Sequence, residues 1–224
     1  MTKTILIIGA GPGIGLATAR TFLDQGFHAV LASRNPGKLT RHAEEMLGKS
    51  DAFSIQVVDA KEPSQIGQLV VRTNADVLHY NAGAVRYNSD GTLKMTALTD
   101  FPMEDITADI QVNLSSALVA IQAAIPGMKA KGGGTILLTG GSLATNPHAD
   151  LLTLSAGKAG LRASARAMFG PLRELNIHVG LVTVSILVSA GSDEAADVAR
   201  AFWDLHSEAN EDWSWETIYT GRNG

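Results

Sequence analysis

The residues best suited to chemistry in this chain begin near its N-terminal end. Gly9-Ala10-Gly11-Pro12-Gly13-Ile14-Gly15 follows the apolar run Thr4–Ile8 and leads into a segment with helical periodicity. Glycines there let the backbone turn sharply and approach a pyrophosphate. The helix N-terminus behind them offers unpaired N–H groups and a positive dipole end. A bare strand-to-helix turn is the alternative, but the position at the head of a chain that alternates strand and helix favours a dinucleotide. Counting 18 residues on from Gly15 reaches Ser33-Arg34-Asn35, at the end of the next apolar run. No Asp or Glu stands there to receive ribose hydroxyls or repel a 2′-phosphate. Arg34 can pair with that phosphate, and Ser33 and Asn35 can donate hydrogen bonds to it. These residues point to NADP rather than NAD; a solvated arginine at the head of a loop is the other reading. Pro12 occupies a loop position where a second basic residue could have helped.

Elements must hold these residues in place, and the hydrophobic pattern supplies them. Short β-branched runs fall at Thr4–Ile8, Ala29–Ala32, Ser54–Val58, Val77–Tyr80, Thr135–Leu138, Val179–Val184 and Thr217–Tyr219. They lack a strict period of two, as expected of parallel strands covered on both faces. Between them lie helical segments at Gly13–Gln25, Pro36–Leu47, Pro63–Arg72, Met103–Met128, Thr153–Leu175 and Asp193–Glu208. Such alternation predicts right-handed βαβ units. No repeat, low-complexity tract or linker divides the chain, so residues 1–224 read as one doubly wound α/β Rossmann domain with helices on both faces.

Composition narrows the function classes. The 224 residues carry 18 Lys+Arg against 22 Asp+Glu, a net charge of −4 without a basic cluster. A nucleic-acid or anionic-membrane partner is therefore not expected. The absence of cysteine excludes a disulfide framework, thiolate catalysis and Cys-ligated metal, and no other metal site is read. No apolar run approaches the roughly 20 residues of a membrane span. The run before Gly9 is too short for a signal core, so the expected location is the cytoplasm.

Four further pieces fall in order: Asp59-Ala60, Asn81-Ala82-Gly83, Asn113 within the long helix, and Ser142 ahead of Lys158. Together with Gly9-x-x-x-Gly13-Ile14-Gly15, the series resembles the short-chain dehydrogenase/reductase family across nearly the whole chain. The resemblance implies a seven-stranded parallel sheet, a nicotinamide cofactor, a small-molecule substrate and frequently a homodimer or homotetramer built on the two long helices. It implies that Asp59 bonds the adenine amino group with Ala60 beside the ring, and that Asn81-Ala82-Gly83 lines the ribose. Asn113 would hold a water in a proton relay, Ser142 would bond the substrate carbonyl, and Lys158 would grip the nicotinamide ribose. Ser189 falls where a threonine commonly touches the carboxamide, and Val184-Ser185 replaces the usual Pro-Gly pair.

One position departs from the family. Its catalytic tyrosine lies four residues before the lysine, one turn away on the same helix face. Here that residue is Leu154, which can neither give nor take a proton. Ser155 points about 100° away and is a far weaker acid than an activated phenol. His148, in the loop Asn146–Asp150, has an unperturbed pKa near ~6.5 suited to acid–base work, and Tyr87 follows the Asn81-Ala82-Gly83 turn. Each is a candidate replacement donor, set against a solvated loop histidine and a packing tyrosine. The connection Ala190-Gly191-Ser192 is also short where the family inserts a helical substrate lid, so the cleft should be more open. Trp203, Trp213, Trp215 and Tyr219 form a cover, an oligomer contact or simply the end of the core. The expectation is an NADP(H)-dependent oxidoreductase of a small carbonyl or alcohol, with a non-catalytic NADP-binding protein as the alternative.

Overall fold

A computed structural model of the chain describes residues 2–48 and 51–222. Seven strands, β1 (Thr4–Ile8), β2 (His28–Ser33), β3 (Phe53–Val57), β4 (Val77–Tyr80), β5 (Gly134–Thr139), β6 (Ile177–Val184) and β7 (Glu216–Tyr219), form one sheet in the order β3-β2-β1-β4-β5-β6-β7. Every pairing is parallel. The order reverses between β1 and β4, and a crevice opens beyond the strand ends at such a switch point.

Alternation along each strand divides the core in two. Ile5 and Ile7 of β1 face one layer, while Leu6 and Ile8 face the other. The first layer is closed by α1 (Ile14–Asp24), α2 (Pro36–Leu47) and α7 (Asp193–Ser207). The second is closed by α3 (Pro63–Thr73), α5 (Ser116–Ala130) and α6 (Leu152–Arg173), with α4 (Met103–Ile110) leading into α5. The C-terminal aromatics complete these layers. Trp203 meets Phe22 edge-on with centroids 5.2 Å apart, and Trp213 stacks on His178 at 4.7 Å. Arg162 and Arg166 both lie over Trp215.

The continuous helical stretch Met103–Ala130 departs from the sequence reading in two ways. Its 28 residues have a mean hydropathy of 1.3 in their most apolar window, long and apolar enough to span a membrane. It nonetheless packs one side into the core, burying Val112, Ala117, Ala120, Ile121, Ala124 and Met128. A helix with that much buried surface is accounted for by the core. It is also not one regular α-helix, because Gln111–Ser115 adopts a π turn between α4 and α5.

Candidate active site

The glycine loop follows β1 directly. Gly9 adopts φ +87°, and a Cβ there would lie 2.4 Å from the backbone nitrogen of Ala82. A Cβ on Gly15 would come 2.9 Å from Ala10 Cα. These two glycines are demanded by the protein's own packing. Gly11 and Gly13 are not: a Cβ on Gly11 meets nothing within 4 Å, and one on Gly13 only the Val188 carbonyl at 3.9 Å. Their open side faces solvent at the N-terminus of α1, the space a pyrophosphate would fill. The donors and the room both fit a dinucleotide.

From this loop a cavity of about 470 Å³ runs across the ends of β1, β2, β3 and β4. Its walls include Gly9, Ser33, Arg34, Asp59, Ala60, Asn81, Ala82 and Gly83. Sequence reasoning named all of these. Asn35 is used differently: its Oδ1 accepts from the Lys38 N–H at 3.0 Å, capping α2. Only its amide NH2 remains available for a ligand. Ser33 Oγ reaches the Asn35 carbonyl at 3.4 Å. Arg34 has no carboxylate partner among the described residues. Asp59 serves its own turn through Oδ1, which accepts from Lys61 N–H at 2.9 Å, leaving Oδ2.

Four charged residues of the cavity were missed by sequence reasoning. Lys61 lies just beyond Asp59-Ala60, a basic residue whose placement only the β3–α3 turn reveals. Arg86, Asp105 and Asp109 form a second group. Asp109 is 2% exposed and takes a forked pair of bonds from Arg86 at 2.7 and 2.8 Å. It also accepts from Thr153 Oγ1 at 2.7 Å, and Asp105 adds a contact to Arg86 at 3.1 Å. An aspartate one turn before Asn113 was the available signal. The apolar segment around it hid its burial.

The π turn carries Asn113. Its Oδ1 accepts from Ala84 N–H at 2.8 Å, and its side-chain NH2 is buried without a protein partner. Asn113 is 2% exposed, which rules out an exposed helix residue. Tyr80 braces the same turn by donating its hydroxyl to the Val112 carbonyl at 2.7 Å. π turns recur at functional sites because they turn polar groups out of the helical ladder.

Lys158 stands beside this turn on α6. Its ammonium donates to the Thr139 carbonyl at 2.6 Å, and burial lowers its pKa to about 8. Leu154, one turn earlier, is 8% exposed, and a small cavity beside it is also lined by Arg86, Asp109 and Thr153. Ser142 opens the turn Ser142–Ala144 after β5, and its carbonyl accepts from Thr145 and Asn146 N–H. The structure thus sets Asn113, Lys158 and the end of β5 together.

The two residues read from the sequence as candidate donors are exposed. His148 is exposed; its Nδ1 accepts from Asp150 N–H at 3.2 Å, and its own N–H donates to Ser155 Oγ. The imidazole's Nε2 is left for other partners. Tyr87 is 58% exposed and pairs with Leu93 across a small bridge. Ser189 is exposed in the link from β6 to α7. That link leans on the glycine loop, with Gly191 N–H donating to the Pro12 carbonyl at 3.2 Å.

Comparison with known proteins settles the family. The short chain dehydrogenase model matches residues 3–197. The chain belongs to the short-chain dehydrogenase family. It is 29% identical over 195 residues to an oxidoreductase, asL5, of Sarocladium schorii, covering 86% of this chain and 75% of that one. A metagenomic short-chain oxidoreductase solved in complex with NADP superposes with a TM-score of 0.83 at 25% identity, covering 96% of this chain and 95% of the other. A short-chain dehydrogenase from Rhodopseudomonas palustris shares the fold at TM-score 0.84 and 23% identity, covering 98% of each chain. The short-chain dehydrogenase fold and an oxidoreductase of this type are therefore established for the chain.

Proposed function

We propose that this short-chain dehydrogenase uses NADP(H) to interconvert a small carbonyl and its alcohol, with a proton donor other than residue 154. The observation that carries the cofactor choice is the turn after β2. It sets Arg34 on the cavity wall and holds no carboxylate. The relative solved with NADP supports the same choice. Gly9, Gly13, Ile14 and Gly15 would hold the pyrophosphate, Ser33, Arg34 and the Asn35 amide the 2′-phosphate, and Asp59 with Ala60 the adenine. Asn81, Ala82 and Gly83 would line the ribose, with Lys158 on the nicotinamide side and Ser189 toward the carboxamide.

A bound nicotinamide supplies the hydride. The chain's residues would orient the substrate and move the proton. Ser142 would hold the substrate oxygen, and Asn113 a water in line with Lys158. His148 is the first candidate for the donor, since its Nδ1 is taken by Asp150 N–H and its ring Nε2 is left open toward other partners; Tyr87, Ser142 and water are the others. Calorimetry with NADPH and NADH, followed by turnover on a carbonyl panel, tests the reading. NADPH should bind at least tenfold more tightly, and equal affinity would overturn the choice. If activity is found, His148→Ala should lower kcat and leave NADPH affinity unchanged.

Leu154 favours a second reading, in which the chain binds NADP without turning it over. Tight NADPH binding with no reduction across the panel would support it. We further propose one domain over 1–224, a cytoplasmic location, and a homodimer or homotetramer joined through α4, α5 and α6.

A further inference from the structure

One buried group behind the cleft has no part in the mechanism above. His79 on β4 is completely buried, its ring packed on Phe202 with centroids 4.3 Å apart. Its Nε2 lies 3.0 Å from Thr139 Oγ1 on the neighbouring strand β5. Thr139 Oγ1 donates to Asn81 Oδ1 at 2.8 Å, and Asn81 Nδ2 donates to the Gly9 carbonyl at 2.9 Å.

The proton inventory fixes the direction of this chain. The Gly9 carbonyl can only accept, so the Asn81 amide must turn its NH2 toward Gly9 and its oxygen toward Thr139. A hydroxyl has one proton, and Thr139 gives it to Asn81. His79 must then carry its proton on Nε2 and donate to Thr139. This leaves Nδ1 as a bare acceptor, in agreement with its being buried without a partner. Burial, with the Lys158 charge nearby, pushes the imidazole pKa down to about 3, so the ring is a neutral donor throughout the physiological range.

The far end of the chain is where support is scarce. Between Gly9 and Gly13 the loop has no side chain larger than alanine or proline, so bonds to its own backbone groups set its position. Gly9 and Ala10 N–H donate to the Ala32 carbonyl, and the Gly9 carbonyl depends on Asn81. Thr139 holds the other side of the cleft too, since its carbonyl accepts from Lys158.

We propose that His79 is a positioning residue for the dinucleotide site, setting the Gly9 carbonyl and the glycine loop through Thr139 and Asn81. This rests on the cofactor reading above. A histidine that merely fills the interior would affect stability alone, whereas a member of a linear relay must show coupling with the other members.

The test measures NADPH dissociation constants for wild type, His79→Leu, Thr139→Val, the double variant and His79→Gln, with urea unfolding to fix the folded fraction of each. His79→Leu and Thr139→Val should each weaken NADPH about tenfold. The double variant should bind no more weakly than Thr139→Val, because the relay is already cut. His79→Gln, whose amide can still donate to Thr139, should recover to within about threefold of wild type. Nitrogen NMR of the free protein should show the Nε2–H tautomer of His79, unchanged from pH 5 to 8. Variants that lose stability but bind as wild type would overturn the positioning role, as would effects that multiply in the double variant or an Nδ1–H tautomer. If wild type binds neither NADPH nor NADH, the cofactor reading fails and the positioning role falls with it.

Discussion

Gly157 on α6 presses against Asn113 in the π turn so closely that a Cβ on the glycine would lie 2.3 Å from Asn113 Cβ. Gly157 sits between Leu154 and Lys158, so this contact sets the height of the whole helix face above the cleft. Gly157→Ala adds helix propensity worth about 1 kcal/mol. Overpacking costs about 1–3 kcal/mol and the Cβ of Asn113 cannot swing away, so the penalty should win. Urea unfolding should show a net loss of up to about 2 kcal/mol. A stabilised variant would mean that α6 can lift off the π turn freely.

Asp109 is the next lever on the same face. It satisfies both guanidinium NH2 groups of Arg86 and the Thr153 hydroxyl from a buried position. Asp109→Asn keeps the shape and removes the charge, leaving Arg86 only Asp105 at 3.1 Å. Hydrogen bonds to charged groups contribute about 1.5–3 kcal/mol each. Asp109→Asn should therefore lower stability by about 2 kcal/mol, measured by denaturant titration. An unchanged midpoint would show that Asp105 takes over fully.

The fold was legible in the sequence because parallel strands buried on both faces leave continuous apolar runs. Val77–Tyr80 and Pro36–Leu47 begin and end where the pattern places them. The glycine loop was legible for a similar reason, since backbone conformation restricts the residue type. Other features depend on partners distant in sequence. Nothing local shows that Asn113 interrupts a helix, that Asn35 spends its oxygen on a cap, or that Lys61 reaches the cavity. His79 lay within a strand assigned purely from its apolar run, so its relay to Thr139, 60 residues away, was invisible.

On the NADP reading proposed above, Arg34 is the charged side chain that would meet the 2′-phosphate. Arg34→Ala should weaken NADPH binding by about tenfold or more, the loss of one charge-assisted phosphate contact. NADH, with no 2′-phosphate, should change less than twofold. Lys61→Ala serves as the comparison, since it is basic and lines the same cavity. Calorimetry separates the two, and equal loss for NADH and NADPH with Arg34→Ala would refute a phosphate contact.

Acid should destabilise the protein earlier than its carboxylates alone would. Burial lowers the His206 pKa to about 4 and that of His79 to about 3, both below the unfolded value of 6.5. The unfolded chain therefore binds more protons than the folded one below pH 6.5, and stability falls as pH drops through that window. Each of these histidines should cost roughly 2 kcal/mol between pH 7.5 and 5. His206→Gln, whose amide can still meet Thr135, should flatten the slope by one proton's worth in that range. A slope identical to wild type would show that His206 binds its proton equally well in the folded and unfolded chain.

Leu154 lies one turn before Lys158 on α6 and is largely buried. Leu154→Tyr puts a phenol where the resemblance implies the family's acid, beside a small cavity lined by Thr153 and Phe101 that can take part of the ring. The Lys158 ammonium would lower the phenol's pKa and make it a useful donor near neutral pH. General acids contribute about 10²–10⁴-fold, so kcat for carbonyl reduction should rise at least tenfold even with imperfect placement. Because the Lys158 pKa is about 8, the lysine loses its charge above that pH and the gain should shrink there. Leu154→Phe separates chemistry from packing, since it adds the ring without the hydroxyl and should give no gain. If Tyr and Phe behave alike while NADPH still binds, the missing acid is not the limit. The short connection from Val184 to Asp193, expected from the sequence to leave the cleft more open, would then be the next feature to vary.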